Sequence, residues 1–427
     1  MVSLTCLGVL AVTGVALSFW YDPSGDTVDY SGSYPLLRGL PVSRAYASTM
    51  HISFDVPGGL LLRQTHHWAA LVLPAALILQ MLATFFTGAF RDPRRLTWAL
   101  LVGTFLLVLG AGWSGYALPD DMLAGTGLRI VEGIVLGIPV VGTRASFAFF
   151  GGEFPGTALT HMYWLHVAVL PSLVVVVVAL RALAALRTPV DASDSRRVPL
   201  RVYAVRAAGL SLITTGFLVL LGGLVEVSPV WIYGPASSGH ASAGSQPDWY
   251  TDFLDGALRL VPSGWEPQVL GHPLSLSVLV PQALVGAFIA TILLWPFLEA
   301  VATGDRRRHV VLDRPREHPT RTALGVAGLV FFCGLWLAGA TDVVTVAFGI
   351  SFEHQVVALR TLVLLGPLVA FPVTRALCTG LTARELTERA GGIETGVILR
   401  DPLGGYTERH GPRPADPPAL TGERRDT

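Results

Sequence analysis

Lysine is absent from this chain: all 30 basic residues are arginine, balanced by 30 acidic ones. A formal net charge of +0 gives no hold for nucleic acid or for an acidic partner, and the missing lysine reads as composition bias, not chemistry. Charge of either sign is scarce, at 14% of 427 residues. Cysteine is scarcer still. Cys6, Cys333 and Cys378 sit in or beside apolar segments and form no Cys-x-x-Cys or Cys-x-x-Cys-His motif. That excludes a disulfide framework, a structural zinc site and covalently attached haem. The first apolar run lacks a basic leader and a small-x-small cleavage site, and Phe19-Trp-Tyr21 stands where an interfacial aromatic belt belongs, so it reads as a retained span. No internal repeat of about 20–50 residues and no midplane charge pair is visible, which argues against a transporter.

What the chain has is apolar sequence: 52% hydrophobic residues and a mean hydropathy of +0.56. A span needs about 20 apolar residues, and eight runs qualify: A, 3–21; B, 59–88; C, 96–117; D, 158–184; E, 204–226; F, 274–300; G, 321–341; and H, 357–379. The fold class is therefore an all-α polytopic protein of the lipid bilayer. Arginine is concentrated in alternate connections: Arg91, Arg94 and Arg95 (B–C); Arg187, Arg196, Arg197 and Arg201 (D–E); and Arg306, Arg307, Arg308, Arg314 and Arg316 (F–G). The positive-inside rule places these, and both termini, in the cytoplasm of a multi-pass cell-membrane protein. The outer loops are not plain linkers. Residues 119–157 carry an amphipathic stretch too short to span, which fits a helix lying at the outer surface, and 227–273 is rich in Trp, Pro and Gly. Beyond Arg384 the sequence turns polar and reads as disordered at its end.

Ionisable side chains inside a span are costly and mark function by default. Span B opens with Arg63-Gln-Thr-His66-His67, and span D carries His161 and His166. B and D both run from outside inwards. His66 and His166 then lie at one depth, on the order of 10–12 Å from the outer end. Two facing imidazoles in an apolar bundle suit the axial positions of a b-type haem. Arg63, three residues before His66, shares its face and suits a propionate. A buried histidine is also commonly just a hydrogen-bonded core residue. His67 and His161 read as packing or water-contacting groups, and zinc lacks further ligands at this depth.

In order and spacing these residues resemble the cytochrome b subunit of quinol-oxidising cytochrome bc complexes, over nearly the whole chain. The landmarks are Ser43-Arg-Ala-Tyr-Ala-Ser-Thr-Met50, Arg63-x-x-His66, Gly115-Tyr-Ala-Leu-Pro119, His166-x-x-x-x-Pro171 and Gln246-Pro-Asp-Trp-Tyr250. The last matches the family's Pro-Glu-Trp-Tyr signature with Asp in the Glu position. The resemblance implies a haem-binding four-helix core A–D within an N-terminal region 1–226, a C-terminal region 227–384, and a cytoplasmic tail 385–427. It implies an outer quinol pocket in which Asp248 accepts the quinol proton and Tyr250 and Tyr116 bond the ring or gate access. Pro247 and Trp249 build the loop, and Gly127 allows close backbone approach. It also implies a Rieske iron–sulfur protein and a cytochrome c subunit as partners, and a homodimeric complex. The resemblance further implies that one quinol electron goes to the Rieske protein and the other to the outer, low-potential haem.

The chain departs from that family at the inner level. There each ligand helix carries a second His fourteen residues on, about 21 Å and almost four turns further. Here those positions are Gln80 and Leu180, and Ala83 replaces an arginine for the inner propionates. The expectation is one haem b where the family normally holds two, with Leu79 and Leu180 filling the gap. Two functions follow: a quinol–cytochrome c oxidoreductase subunit, or a degenerate single-haem paralogue with a structural or assembly role and no full quinone cycle.

Overall fold

The computed structural model describes residues 1–152, 156–187, 199–237, 239, 247–269, 271–390 and 392–411. Arg196, Arg197, Gln246 and the last sixteen residues lie outside them. The chain opens on α1 (Val2–Ser18) and a short antiparallel ladder of β1 (Thr27–Asp29) and β2 (Pro41–Ser43). Ser43 starts α2 (Arg44–Phe54), its Oγ accepting the Tyr46 N–H at 3.1 Å and satisfying a free helix-end donor. Two long helices follow, α3 (Gly59–Phe86) and α4 (Arg95–Tyr116). The outer loop then folds as α5 (Met122–Leu136) and α6 (Gly142–Phe150), and Asp121 caps α5 by accepting the Ala124 N–H at 2.8 Å. The fourth span, Ala158–Arg187, consists of α7 (Ala158–Trp164), a π turn over Leu165–Val169, and α8 (Leu170–Arg187).

Next come α9 (Leu200–Leu224), α10 (Val230–Tyr233), α11 (Asp252–Leu260) and a hairpin of β3 (Gln268–Val269) and β4 (His272–Pro273). The chain closes with α12 (Leu276–Thr303), α13 (Pro319–Gly339), α14 (Thr341–Phe348), α15 (Phe352–Ala390) and a hairpin of β5 (Ile393–Arg400) and β6 (Tyr406–Gly411). Every expected span is a helix, and among the described residues seven are long and apolar enough to cross a membrane. The eighth, α1, has 17 residues, a little short of the roughly 30 Å hydrocarbon layer. The residues after Arg384 begin as helix, not tail. Glu385 pairs with Arg314 and Arg316, so α15 runs on to Ala390.

α1 packs on α3, α3 on α9, and α4 on α8, while α13 joins α11 to α15. The inner part of the first bundle is closed by side chains. Cys6, Leu73, Leu77, Leu101, Phe105 and Val174 are buried in one apolar cluster, with Val2, Met81 and Val178 packed against it. Leu79 and Leu180 do not do this: they stand 67% and 48% exposed. The π turn explains half of that correction. It takes up one extra residue and contains His166, so the residue one level below on the same face is Arg181, not Leu180. Neither side chain can replace a lost histidine.

The Arg-rich face is tied together by Arg321, which is 4% exposed. It donates to Asp313 at 2.7 Å and Glu299 at 3.4 Å, and Arg91 also binds Asp313. Burial pushes the Asp313 carboxyl up, but its hydrogen bonds from Arg321 and Arg91 outweigh this and hold it below the ordinary value. Its stabilisation is therefore present above the ordinary carboxylate pKa and is lost as pH falls. Arg321→Leu leaves Glu299 without its buried cation and Asp313 with Arg91 but not Arg321, and is expected to cost about 3–5 kcal/mol, read as a lower thermal midpoint of the purified chain.

Candidate functional site

Two neighbouring histidines on α3 face different ways. The His66 ring approaches that of His166, with centroids 6.2 Å apart and planes at 70°. A metal–imidazole bond is about 2 Å and the ring centre lies roughly 1 Å further, so two rings sharing one metal have centres about 6 Å apart. The outer nitrogens are already held. His66 Nδ1 lies 2.8 Å from Thr13 Oγ1, whose hydroxyl donates to the Val9 carbonyl at 2.6 Å. His166 Nδ1 lies 2.8 Å from the Ala111 carbonyl. A carbonyl only accepts, so Nδ1 of His166 carries the proton and its Nε2 presents a lone pair. A hydrogen bond of this kind is what fixes the tautomer of a metal-bound histidine. Glycines make the approach possible. A Cβ on Gly115 would collide with the His166 ring, and one on Gly14 would sit 3.1 Å from His66 Cε1.

His67 turns instead to the loop before α11. Its Nε2 lies 2.9 Å from Asp248 Oδ1, the two side chains being 16% and 12% exposed. Tyr250 donates to the other carboxylate oxygen at 2.8 Å. Tyr250 is 2% exposed and its hydroxyl lies against Gly112 of α4. Burial, then the adjacent Asp248 charge, holds its phenol far above the ordinary range, so it stays a donor. Trp249 pins this loop, its Nε1 donating to the Leu71 carbonyl at 3.3 Å and its own carbonyl accepting from Trp336 at 2.8 Å. Pro247 is half-buried at the start of the same stretch.

The remaining expected residues border this pair of sites. Arg63 donates both terminal nitrogens to the Ser228 carbonyl at 3.2 Å and lies over Trp231, while its Nε is buried without a hydrogen-bond partner. Tyr116 ends α4, and a Cβ on Gly127 would meet only its ring, at 4.0 Å. Gly127 thus leaves space beside Tyr116; no neighbouring backbone requires a glycine there. Asp120 and Asp121 were not anticipated. They are 8% and 2% exposed, and burial pushes each carboxyl up to about 6. His161 is exposed, with Nδ1 3.2 Å from the Phe149 carbonyl.

A cytochrome bc1 complex cytochrome b subunit of Streptomyces coelicolor is 40% identical over 418 residues, covering 95% of this chain and 76% of that protein. The chain belongs to the cytochrome b family. A subunit of the same description from Mycobacterium leprae is 39% identical over 421 residues, covering 95% of this chain and 75% of its own length. A family model described as cytochrome b (N-terminal)/b6/petB matches residues 71–235. A solved structure described as a hyperthermophilic respiratory Complex III shares the fold, with a TM-score of 0.64 at 16% identity, over 89% of this chain and 91% of that one.

Cytochrome b proteins bind haem b, and the outer level of this one fits the group. It offers two imidazoles at the spacing of axial ligands, their outer nitrogens engaged, with glycines beside both rings and an arginine nitrogen left unsatisfied. The inner level does not fit. Among the described residues no histidine stands there, and packed apolar side chains such as Leu73, Leu77, Phe105 and Val174 occupy the bundle. His67 is the residue that reading the sequence missed. One step along a helix turns a side chain by about 100°, so a neighbour of a ligand faces elsewhere, and only the fold brings position 67 to position 248.

Proposed function

We propose that this chain is the cytochrome b subunit of a bc1-type quinol–cytochrome c oxidoreductase, oxidising quinol at the outer face. One observation carries the reading. A carboxylate held by a histidine and a tyrosine stands beside the His66–His166 pair, because His66 and His67 are consecutive on α3. Quinol oxidation needs a proton acceptor and an electron acceptor close together. A haem b held by His66 and His166 supplies one-electron acceptance. Asp248 takes the quinol proton, Tyr250 keeps that carboxylate oriented, and Tyr116 and Trp249 border the pocket. Pro247 stiffens the loop, and Gly127 leaves room for a planar ring. Arg63, anchored to the Ser228 carbonyl, keeps donors in reserve for a propionate.

The reading extends to a Rieske protein and a cytochrome c subunit as partners, a homodimeric complex, and a plasma-membrane position with both termini cytoplasmic. Residues 1–226 then form the haem-binding region, 227–384 the quinol-loop region and 385–427 the cytoplasmic extension. Quinol-dependent reduction of cytochrome c by the isolated complex tests it, and its absence overturns it. The second reading, a paralogue without a full quinone cycle, is favoured by the apolar packing of the inner bundle. Both readings share one expected result: haem extracted from the purified chain amounts to one b haem per polypeptide, and two would refute the single-level assignment.

A further inference from the structure

We propose that Asp252 is a positioning residue of the quinol loop: as the uncharged acid it seats α11 against α13, and its ionisation unseats them. The inference rests on the function proposed above and adds to it a residue outside the pocket. Its ground is the way two helices cross. α11 follows directly on Pro247-Asp-Trp-Tyr250 and packs on α13. The crossing is close at two glycines. A Cβ on Gly256 would collide with the Leu335 carbonyl, and one on Gly339 with the carbonyl and carboxyl oxygens of Asp252. Beside them the Trp336 indole donates to the Trp249 carbonyl at 2.8 Å. The crossing and the quinol loop are therefore one packed unit.

Asp252 is 6% exposed, and its Oδ1 is buried with no hydrogen-bond partner among the described residues. A buried carboxylate without a donor is costly, whereas its protonated form is merely polar. The charges nearby do not repair this. Asp255 and Asp342 oppose ionisation. Arg259 favours it, but its Nε is bound to Asp255 at 2.7 Å and its terminal nitrogens to Asp342 at 2.8 Å and Thr341 Oγ1 at 2.9 Å. On the loop side Asp248 is engaged by His67 and Tyr250. The ionisable residues of α12 and α13 are Glu299 and Arg321, paired on the Arg-rich face, and the exposed Cys333. In α15, Glu353 and His354 are exposed, and Arg360 donates to the Leu260 carbonyl at the far end of α11. Burial, then the Asp255 charge, pushes the Asp252 carboxyl up to about 7.

A seated crossing that raises the acid's pKa binds the proton more tightly than an open one. Its stabilisation is therefore complete below the ordinary carboxylate value, weakens as pH rises towards about 7, and is gone above that. Only a proton moves: the carboxyl O–H breaks and the proton passes to water. α11 stands in the outer E–F connection, so in the proposed topology that water is outside the cell. Unseating draws Trp336 from the Trp249 carbonyl and shifts the loop that carries Asp248. External acid tightens the quinol loop, and external alkali loosens it.

Amide hydrogen exchange over residues 249–260 in the intact complex reads this opening directly. Corrected for intrinsic rates, opening in the wild type is expected to rise about tenfold per pH unit, hence about a hundredfold between pH 5 and 7. Asp252→Asn, nearly isosteric and uncharged, should keep its b-type spectrum and change its opening by less than about threefold over the same interval. Normalised to pH 6, quinol-dependent cytochrome c reduction should fall further by pH 8 in the wild type than in the variant. Opening that is independent of pH in the wild type, or that rises equally in Asp252→Asn, would overturn the proposal. The expected exchange without any quinol-dependent turnover would leave the seating intact and overturn the function it serves. Should Asp252→Asn fail to assemble, Asp252→Ser, likewise uncharged, takes its place in the same comparison.

Discussion

Replacing His66 or His166 by alanine is expected to abolish b-type absorbance in the purified chain, while His161→Ala keeps it. The contrast follows from what each ring already binds. His66 and His166 face one another 6.2 Å apart with Nδ1 engaged, so each contributes an Nε2 that no other residue at that level can replace. His161 stands exposed beside the Phe149 carbonyl. Either substitution would remove one of the two imidazoles that would hold the group. Even loss of a partner that merely orients a ligand costs about 10–100-fold in metal affinity, and a ligand itself should cost more. Reduced-minus-oxidised spectra and extracted haem per polypeptide measure the outcome. Undiminished absorbance in both ligand variants would remove the haem assignment.

Asp248→Asn carries the second large effect: a fall of at least about a hundredfold in quinol-dependent cytochrome c reduction, the scale of losing a positioned general base. Asparagine is nearly isosteric. Its carbonyl still accepts from Tyr250, and its amide has a partner in His67, so the loop held by Trp249 and Trp336 should stay in place. Binding should therefore change less than turnover, and the b-type spectrum should not change. A loss confined to KM would instead make Asp248 a quinol-binding group. Turnover at the wild-type rate would exclude it from the chemistry.

The sequence makes the spans legible for a plain reason. A bilayer demands long apolar runs whatever their function, and the arginines stand between them in alternation. The facing of His66 and His166 is legible too, because charge-bearing rings deep in such runs are rare. The π turn is hidden, since Leu165-His-Val-Ala-Val169 reads as ordinary apolar helix. With it goes the register that sets Arg181 in place of Leu180. His67 is hidden because its partner lies 181 positions away. The C-terminal hairpin is missed for a different reason: its alternating pattern, Ile393-Glu-Thr-Gly-Val-Ile-Leu-Arg400, is overshadowed by the polar composition around it.

The packed lower half of the first bundle bears on voltage. In the proposed topology, charge reaching the level of His66 and His166 has entered only the outer part of the membrane, and below it lie Leu77, Leu101, Phe105 and Val174. Moving one elementary charge through the full field involves about 2.3 kcal/mol per 100 mV. A catalyst that stops at the outer level exchanges little of that energy with the field. Its turnover in sealed vesicles should respond only weakly to an imposed membrane potential, so that quinol is oxidised at nearly the same speed in an energised cell as in a depolarised one.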